Sequence, residues 1–379
     1  MLPGGRVGDT ALRLHWEIAR SHMALREFGA AMVSCRAVGA LPPDASRVGG
    51  APAATGTPAE QAFACTAEAR LVWQLSGEAL ADTAQALAKG NRIYDAKVTE
   101  GRAHDLALDE AKAEASLREA IAWKPDAWEA HTYLGRILAK GNASRAKADE
   151  SIAELRKGVE LDPNGPDTAF ELAIALPPTA ESAQLLDRAT RDRPGFVAAW
   201  LRLSSVSFAL GKFADAKRAA EATLTLSPNE VAAHLLLGKI ALAEGRPDDA
   251  LRAAGSVLKL VANSAQGKLL VGDAYVKKNE LDLALEAYQA AWGFDHADPT
   301  PLVHASEACH AGGRDTSARA FAARATQEFP KWAPAWAALG DALAGQKEIA
   351  AAKAAYASAL ATEGPIDRAA VERKVAALK

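Results

Sequence analysis

His304, Cys309 and His310 are the residues whose types and spacing come closest to a metal-binding site. Imidazole and thiolate groups are preferred ligands of zinc, and the three residues fall within one predicted helix. Six residues turn a helix by about 600°, however, so His304 and His310 point in different directions. We therefore expect packing residues here and no metal ion.

Motifs that carry catalysis or hold a cofactor are absent from the sequence. It contains no phosphate-binding loop, no dinucleotide-binding glycine pattern, no paired-histidine zinc motif and no nucleophile elbow. We therefore expect no cofactor and no catalytic activity. An enzyme of unrecognised type is kept as an alternative, which a cofactor bound to the purified protein would favour.

The three cysteines are Cys35, Cys65 and Cys309, a low number that is typical of a reducing compartment. Cys35 and Cys65 lie on neighbouring predicted helices, which could bring them close. A cysteine inside a helical protein is most often a small buried apolar residue, so we favour two buried thiols. Cys309 is expected in the core for the same reason.

A unit of 34 residues recurs five times between Val197 and Ile366, and Pro194 and Pro228 show the same spacing. Position 8 of each unit is small: Ser204, Gly238, Gly272, Ser306 and Gly340. Small residues at positions 8, 20 and 27 let two helices pack closely, and a larger side chain would cost roughly 1–3 kcal/mol. A glycine near position 15 ends the first helix, and a proline near position 32 ends the second. Each unit is therefore predicted to be a helical hairpin.

Weaker copies of the hairpin precede this region and bring the predicted total to about ten. We expect a degenerate first hairpin over 1–43, a flexible loop rich in Pro, Gly and Ala over 44–59, and the repeat array over 60–366. A capping helix is predicted over 367–379, because Val371, Val375 and Leu378 form one apolar face.

The last unit carries Trp336-x-x-Leu339-Gly340 and then Ala352-x-x-x-Tyr356-x-x-Ala359, and this pattern recurs in register. It resembles the signature of the tetratricopeptide repeat family. The resemblance implies an all-α, right-handed superhelical solenoid that acts as a scaffold or adaptor without catalysis. It also implies that a peptide or helix of another protein binds in the concave groove.

In that family, positions 2, 5, 9 and 12 of the first helix face the groove. The resemblance therefore implies these site residues: Arg102, Arg136, Leu201, Ser205, Phe208, Leu235, Lys239, Leu242, Leu269, Asp273, Val276, Val303, Glu307, His310 and Asp341. Position 9 is basic near the N-terminus and acidic from Asp273 onward, with an apolar row at position 5. We expect the partner's acids near Arg102 and Arg136 and its bases near the acidic positions.

Net charge and hydropathy restrict the other partners. A net charge of −3 gives no reason to expect nucleic acid, and no apolar run is long enough to span a membrane. The N-terminus lacks the apolar core of a signal peptide, so a cytoplasmic location is expected. The alternative is an envelope or periplasmic accessory protein for transport or assembly, which a trimmed signal would favour. The oligomeric state is not predicted.

Overall fold

A computed structural model describes residues 5–41, 57–88, 91–140 and 144–378 of the chain. Within these ranges the chain forms 21 α-helices, and the only β pairing is an isolated bridge between Trp332 and Glu363. The chain divides into two compact units, Met1–Pro194 and Gly195–Lys379. Most of the predicted loop over 44–59 lies outside the described residues.

The first unit consists of five hairpins, in which consecutive helices pack as pairs. The pairs are α1 (Gly5–Ala24) with α2 (Phe28–Gly39), α3 (Pro58–Val72) with α4 (Ser76–Ala86), α5 (Tyr94–Leu106) with α6 (Glu110–Trp123), α7 (Trp128–Leu138) with α8 (Arg145–Leu161), and α9 (Pro166–Ala175) with α10 (Ala180–Asp192).

The second unit consists of five further hairpins and a final helix. The pairs are α11 (Val197–Ala209) with α12 (Phe213–Leu226), α13 (Val231–Ala243) with α14 (Pro247–Leu260), α15 (Ala265–Lys277) with α16 (Leu281–Phe294), α17 (Thr300–Ala311) with α18 (Asp315–Glu328), and α19 (Ala333–Gly345) with α20 (Ile349–Ala361). Helix α21 (Arg368–Ala377) packs on the last hairpin through Val371, Val375 and Leu378. The predicted all-α fold of repeated hairpins with a terminal helix is confirmed.

The helices end close to prolines and glycines, as the repeat pattern predicts. Prolines stand two positions beyond the last residues of α6, α8, α10, α12 and α18, where no helix can continue. A left-handed residue follows the first helix at Gly211, Gly245 and Gly313, with φ values of 71°, 72° and 71°. Asn279 and Lys347 stand at the equivalent position after α15 and α19, and they adopt the same left-handed conformation. The turn geometry is therefore kept even where glycine is not.

The ring at position 4 of the first helix ties a hairpin to the one before it. The Trp336 Nε1–H donates to the carbonyl oxygen of Pro330 at 2.8 Å. The Nε2 atom of His234 lies 3.1 Å from the carbonyl of Pro228, and that of His131 lies 3.0 Å from the carbonyl of Pro125. Histidine can replace tryptophan here because both rings present an N–H group at this carbonyl. His131 and His234 therefore bind the turn that precedes their own hairpin.

In several hairpins, close packing depends on the residues at positions 8 and 24. A Cβ atom built on Gly340 would lie 2.5 Å from the ring of Tyr356, and one on Gly101 would lie 2.7 Å from the Leu117 side chain. Gly272 and Tyr288 make the same pair. Where position 8 is serine, position 24 is alanine, as in the Ser204–Ala220 and Ser306–Ala322 pairs. A large side chain at position 24 therefore requires glycine at position 8.

Position 20, which was predicted to be small for close packing, is a fully buried alanine. The members with no solvent exposure are Ala79, Ala113, Ala216, Ala250, Ala284, Ala318 and Ala352. The hydroxyls of Ser204 and Ser306 each donate to the carbonyl of such an alanine, at 2.8 and 2.9 Å from Ala216 and Ala318. The buried serines are therefore satisfied by the partner helix.

Cys35 of α2 and Cys65 of α3 form a disulfide, with 5.4 Å between their Cα atoms. The prediction that these residues are free thiols is therefore wrong, because a disulfide joins them. Their predicted burial is confirmed, since both are fully buried. The two cysteines stand on consecutive hairpins at facing positions, so their Cβ atoms meet where the hairpins pack. Cys309 is free and fully buried, as predicted.

Replacing Gly272 with alanine is expected to destabilise the second unit by about 1–3 kcal/mol, because the new methyl group would overlap the ring of Tyr288. Thermal unfolding followed by circular dichroism measures the loss. Gly255→Ala is the matched control, since no atom would lie within 4 Å of its new methyl group. That control is expected to gain up to about 1 kcal/mol of stability from helix propensity. Equal effects of the two substitutions would contradict the volume requirement.

The disulfide is expected to protect two of the three cysteines from alkylation in the denatured, unreduced protein. Mass spectrometry after iodoacetamide treatment should find a single adduct, on Cys309, and three adducts after reduction. The Cys35→Ala/Cys65→Ala variant should lose about 2–4 kcal/mol of stability, whereas reductant should not affect it further. Three adducts without reduction would show that the bond does not form.

Candidate binding surface

The first helices of the hairpins line one continuous face of the second unit. Helix α11 contacts α13, α13 contacts α15, α15 contacts α17, and α17 contacts α19. The predicted site residues of this unit, from Leu201 to Asp341, all lie on these five helices. We call this surface the first-helix face.

Two of the predicted site residues belong to the core rather than to this face. Leu235 is only 8% exposed and packs in the cluster that includes Val257 and Leu270. Val303 is 4% exposed and packs with Trp292. Leu201 and Leu269, which also occupy position 5, are half-buried. The apolar row at position 5 therefore serves mainly to pack hairpins together.

Four predicted site residues, Leu242, Asp273, Val276 and Glu307, meet in one pocket of about 400 Å³ on the first-helix face. Ala308 and Ala311 complete its apolar wall together with Leu242 and Val276. The remaining lining residues are polar: Lys277, Tyr288 and His304. We call this cavity the α15–α17 pocket. It combines an aliphatic wall with titratable groups at its sides.

Asp273 is held at the centre of a hydrogen-bond network in this pocket. Its Oδ1 atom accepts from the hydroxyl of Tyr288 at 2.8 Å and lies 2.8 Å from Nδ1 of His304. Burial raises the pKa of Tyr288 far above its usual range, and the neighbouring carboxylate raises it further, so this hydroxyl stays protonated and donates. Burial alone would lower the pKa of His304, but the hydrogen bond and charge of Asp273 outweigh it and raise the pKa.

Asp341 is held in a similar way two hairpins further on. It accepts from the hydroxyl of Tyr356 and from Nζ of Lys374, both at 2.7 Å. Glu307 lies between these two acids in the sequence of hairpins, and its side chain remains accessible to solvent. Desolvation by the surrounding protein raises the pKa of Glu307, and the charges of Asp341 and Asp273 add to this effect. His304 and Lys374 partly offset it.

The other predicted residues of the second unit lie outside the α15–α17 pocket. Ser205 and Phe208 are half-buried on α11, where the ring of Phe208 lies 5.8 Å from that of Phe213. Lys239 is exposed on α13. Nδ1 of His310 lies 2.5 Å from a carboxylate oxygen of Asp315, whereas His304 bonds Asp273, so the two histidines diverge.

In the first unit, Arg102 and Arg136 are brought together by Tyr133. Their guanidinium carbons lie 4.7 and 4.9 Å from the centre of the tyrosine ring. Arg136 also pairs with Asp105 at 3.4 Å and lies 3.9 Å from Glu171. The basic charge predicted for this region is therefore accompanied by the carboxylates of Asp105 and Glu171, which stand at other positions of their helices.

Arg102 also lines a smaller pocket of about 230 Å³ in the first unit, with Trp128 and Tyr133 among the aromatic walls. Glu68, Asp95 and Glu129 also line this pocket and offset the positive charge of Arg20 and Arg102. Arg20 bonds Asp95 at 2.9 Å. The pocket therefore has nearly balanced charge rather than the basic character predicted from position 9 alone.

The residues missed by the sequence reasoning are Tyr288 and Tyr356, which orient the acids at position 9. The signal that could have found them is a spacing of 15 residues from Asp273 and from Asp341. Among the described residues, no three side chains of His, Cys, Asp or Glu are arranged to hold a metal ion. In the same ranges, every helix is too short or too polar to cross a bilayer.

Comparisons with known proteins agree with this architecture. The Tetratricopeptide repeat family model matches residues 205–259 and 235–299. The crystal structure of yeast Tom70 is similar with a TM-score of 0.54 at 12% identity, and the match covers 97% of this chain and 88% of Tom70. A tetratricopeptide repeat protein from Parabacteroides merdae has a TM-score of 0.49 at 13% identity, over 75% of this chain and 97% of its own.

No curated protein matches the sequence. The family match covers the central hairpins, and the similarity to Tom70 extends the shared fold over nearly the whole chain. Hairpins outside the matched residues also have small buried residues at their helix contacts, such as Ala79, Ala113 and Ala352. Residues 205–299 therefore match the tetratricopeptide repeat family, and the fold of the chain is similar to that of Tom70.

Proposed function

We propose that the chain is a non-catalytic adaptor, and that the first-helix face of its second unit binds a segment of a partner protein. The observation that carries the proposal is the α15–α17 pocket, which opens onto this face and joins an aliphatic wall to acidic groups. An accessible apolar surface bordered by charge is typical of surfaces that bind peptides and amphipathic helices.

The family supports this proposal, since tetratricopeptide repeat proteins use the first helices of their hairpins to hold partner segments. In this chain the apolar side chains of Leu242 and Val276 would contribute affinity. The carboxylates of Asp273 and Glu307 would select the charge of the bound segment. Lys239, on the neighbouring first helix, is exposed and would contact an acidic group of the same segment.

Arg102 and Arg136 are proposed as contacts for acidic groups of a partner in the first unit. Both guanidinium groups lie close to the ring of Tyr133, and their N–H groups outside the pairs with Asp105 and Glu171 remain as hydrogen-bond donors. Their contribution is expected to be smaller than that of the second unit, because Asp105 and Glu171 already neutralise part of the charge of Arg136.

A peptide selection tests the binding function directly. Peptides selected on the full chain from a phage-displayed random library should lose about tenfold or more in affinity when Asp273 and Glu307 are both replaced with lysine. Fluorescence anisotropy with the synthetic peptides measures the change, and circular dichroism verifies that helicity is retained.

The Glu221→Lys/Glu286→Lys variant is the matched control, because it makes the same change in net charge at exposed positions on the second helices α12 and α16. It should retain full affinity. Failure to select any peptide, or equal loss in both double variants, would remove the proposed function.

The second candidate, an accessory protein of an envelope compartment, is favoured by the disulfide between Cys35 and Cys65. Structural disulfides persist in oxidising compartments and are rare in the cytosol. The same adaptor function would then act on a secreted or envelope partner. This location is a proposal, and it replaces the reducing compartment that the small number of cysteines suggested.

Acid quenching of source cells followed by immediate alkylation tests the compartment. If the protein resides in an oxidising compartment, Cys35 and Cys65 should resist alkylation until they are reduced. Cys309 serves as the internal control, because it should be alkylated in the denatured chain under both conditions. Alkylation of all three cysteines at the moment of quenching would favour the cytoplasm.

A further inference from the structure

Asp273, Glu307 and Asp341 occupy position 9 of three successive hairpins. They differ in whether another side chain of the protein bonds the carboxylate. Tyr288 and His304 contact Asp273, and Tyr356 and Lys374 contact Asp341. Both acids are therefore engaged within the protein. They act as fixed elements of the surface rather than as free ligands.

Glu307 has no such partner in the described part of the chain, where it makes neither a hydrogen bond nor an ion pair. The cause lies in the core of its own hairpin, where Ser306 replaces glycine at position 8 and Ala322 replaces tyrosine at position 24. No phenol hydroxyl is therefore available to its carboxylate. The surrounding protein also desolvates this group and raises its pKa, so a cation from outside would stabilise its charged form.

The walls of the α15–α17 pocket match the stem of a long basic side chain. Leu242, Val276, Ala308 and Ala311 provide aliphatic contacts, and Glu307 lies on the same lining. Arginine and lysine bury their methylene groups against apolar surface while the charged end reaches a polar group. Lys277 also lines the pocket, and it is exposed to solvent.

We propose that the α15–α17 pocket accepts one arginine or lysine side chain of the bound segment, with Glu307 as its counter-ion. The inference rests on the proposed binding of a protein segment at the first-helix face, and it names the residue type that the pocket selects. Asp273 is a positioning residue in this arrangement, because its hydrogen bonds fix Tyr288 and His304 at the side of the pocket.

Binding of a cation here depends on pH through two groups. Lowering the pH protonates His304, which adds positive charge, and protonates Glu307, which removes negative charge. Both changes weaken attraction for a basic side chain, and both begin above the usual titration ranges because the two pKa values are raised. The other charged or titratable groups facing this region are Asp273, Lys277 and Tyr288 in the pocket, with Asp298, Asp341 and Lys374 acting from neighbouring elements.

A small probe tests the pocket without a selected peptide. N-acetyl-arginine amide is titrated into the full chain carrying labelled Leu and Val methyl groups, and the signals of Leu242 and Val276 are followed by NMR. N-acetyl-citrulline amide is the control ligand, because it has the same shape without the charge. Saturable shifts are expected with the arginine probe and not with the citrulline probe.

Glu307→Gln should weaken the arginine probe by about fivefold, whereas Glu286→Gln on the second helix α16 should leave its affinity unchanged. Affinity should fall as the pH is lowered from about 8 to about 5.5, and His304→Gln should flatten this dependence. Equal binding of the citrulline probe, or an unchanged affinity in Glu307→Gln, would overturn the inference.

The two proposals fail separately in these experiments. If arginine binds but no peptide is selected, the pocket exists and the adaptor function at this face is wrong. If selected peptides bind and depend on Leu242 but tolerate Glu307→Gln, the adaptor function stands and the basic side chain is wrong. Neither result depends on the identity of the natural partner.

Discussion

Volume matching between positions 8 and 24 is the constraint on which the packing of hairpins in both units depends. A tyrosine or leucine on the second helix fits only where the first helix has no side chain, as at Gly272, Gly340 and Gly101. A serine on the first helix is accompanied by an alanine on the second, and its hydroxyl bonds the partner helix. Both solutions give a dense contact without an unsatisfied polar group.

This choice in the core determines the chemistry of the surface. The tyrosine that fills the space beside glycine also carries a hydroxyl to the acid at position 9, which fixes Asp273 and Asp341. In the serine and alanine pair the serine hydroxyl bonds the carbonyl of Ala318 and no tyrosine hydroxyl is present, so Glu307 is left without an internal partner. A surface that alternates engaged and available carboxylates thus follows from packing.

The fold was predictable from the sequence because a 34-residue period repeats the same steric requirements many times. Small buried positions, prolines and left-handed glycines each indicated one part of the hairpin. Because they recur in the same register, together they predicted the repeat. Asn279 and Lys347 show where this prediction fails. Both adopt the left-handed turn although neither is glycine, so the residue type did not indicate the turn. The disulfide was not predicted, because two cysteines on neighbouring helices are equally compatible with buried free thiols and with a disulfide.

The candidate binding surface was less predictable, because the position of a residue within its helix does not show whether a neighbouring hairpin covers it. Leu235 and Val303 were placed on the face by their register, yet adjacent helices bury them. The arginines of the first unit were identified, but their stacking on Tyr133 and their pairing with acids depend on contacts between hairpins. Leu242, Asp273, Val276 and Glu307 do meet in one pocket, because their positions project from first helices that lie side by side.

The link between Cys35 and Cys65 has a consequence for proteolysis. The bond joins the second helix of the first hairpin to the first helix of the second, across a chain separation of 30 residues. A protease that cut anywhere within that interval would produce two fragments still joined covalently. The first hairpin would thus be retained on the array after cleavage, and would separate only when reduction and local opening occurred together.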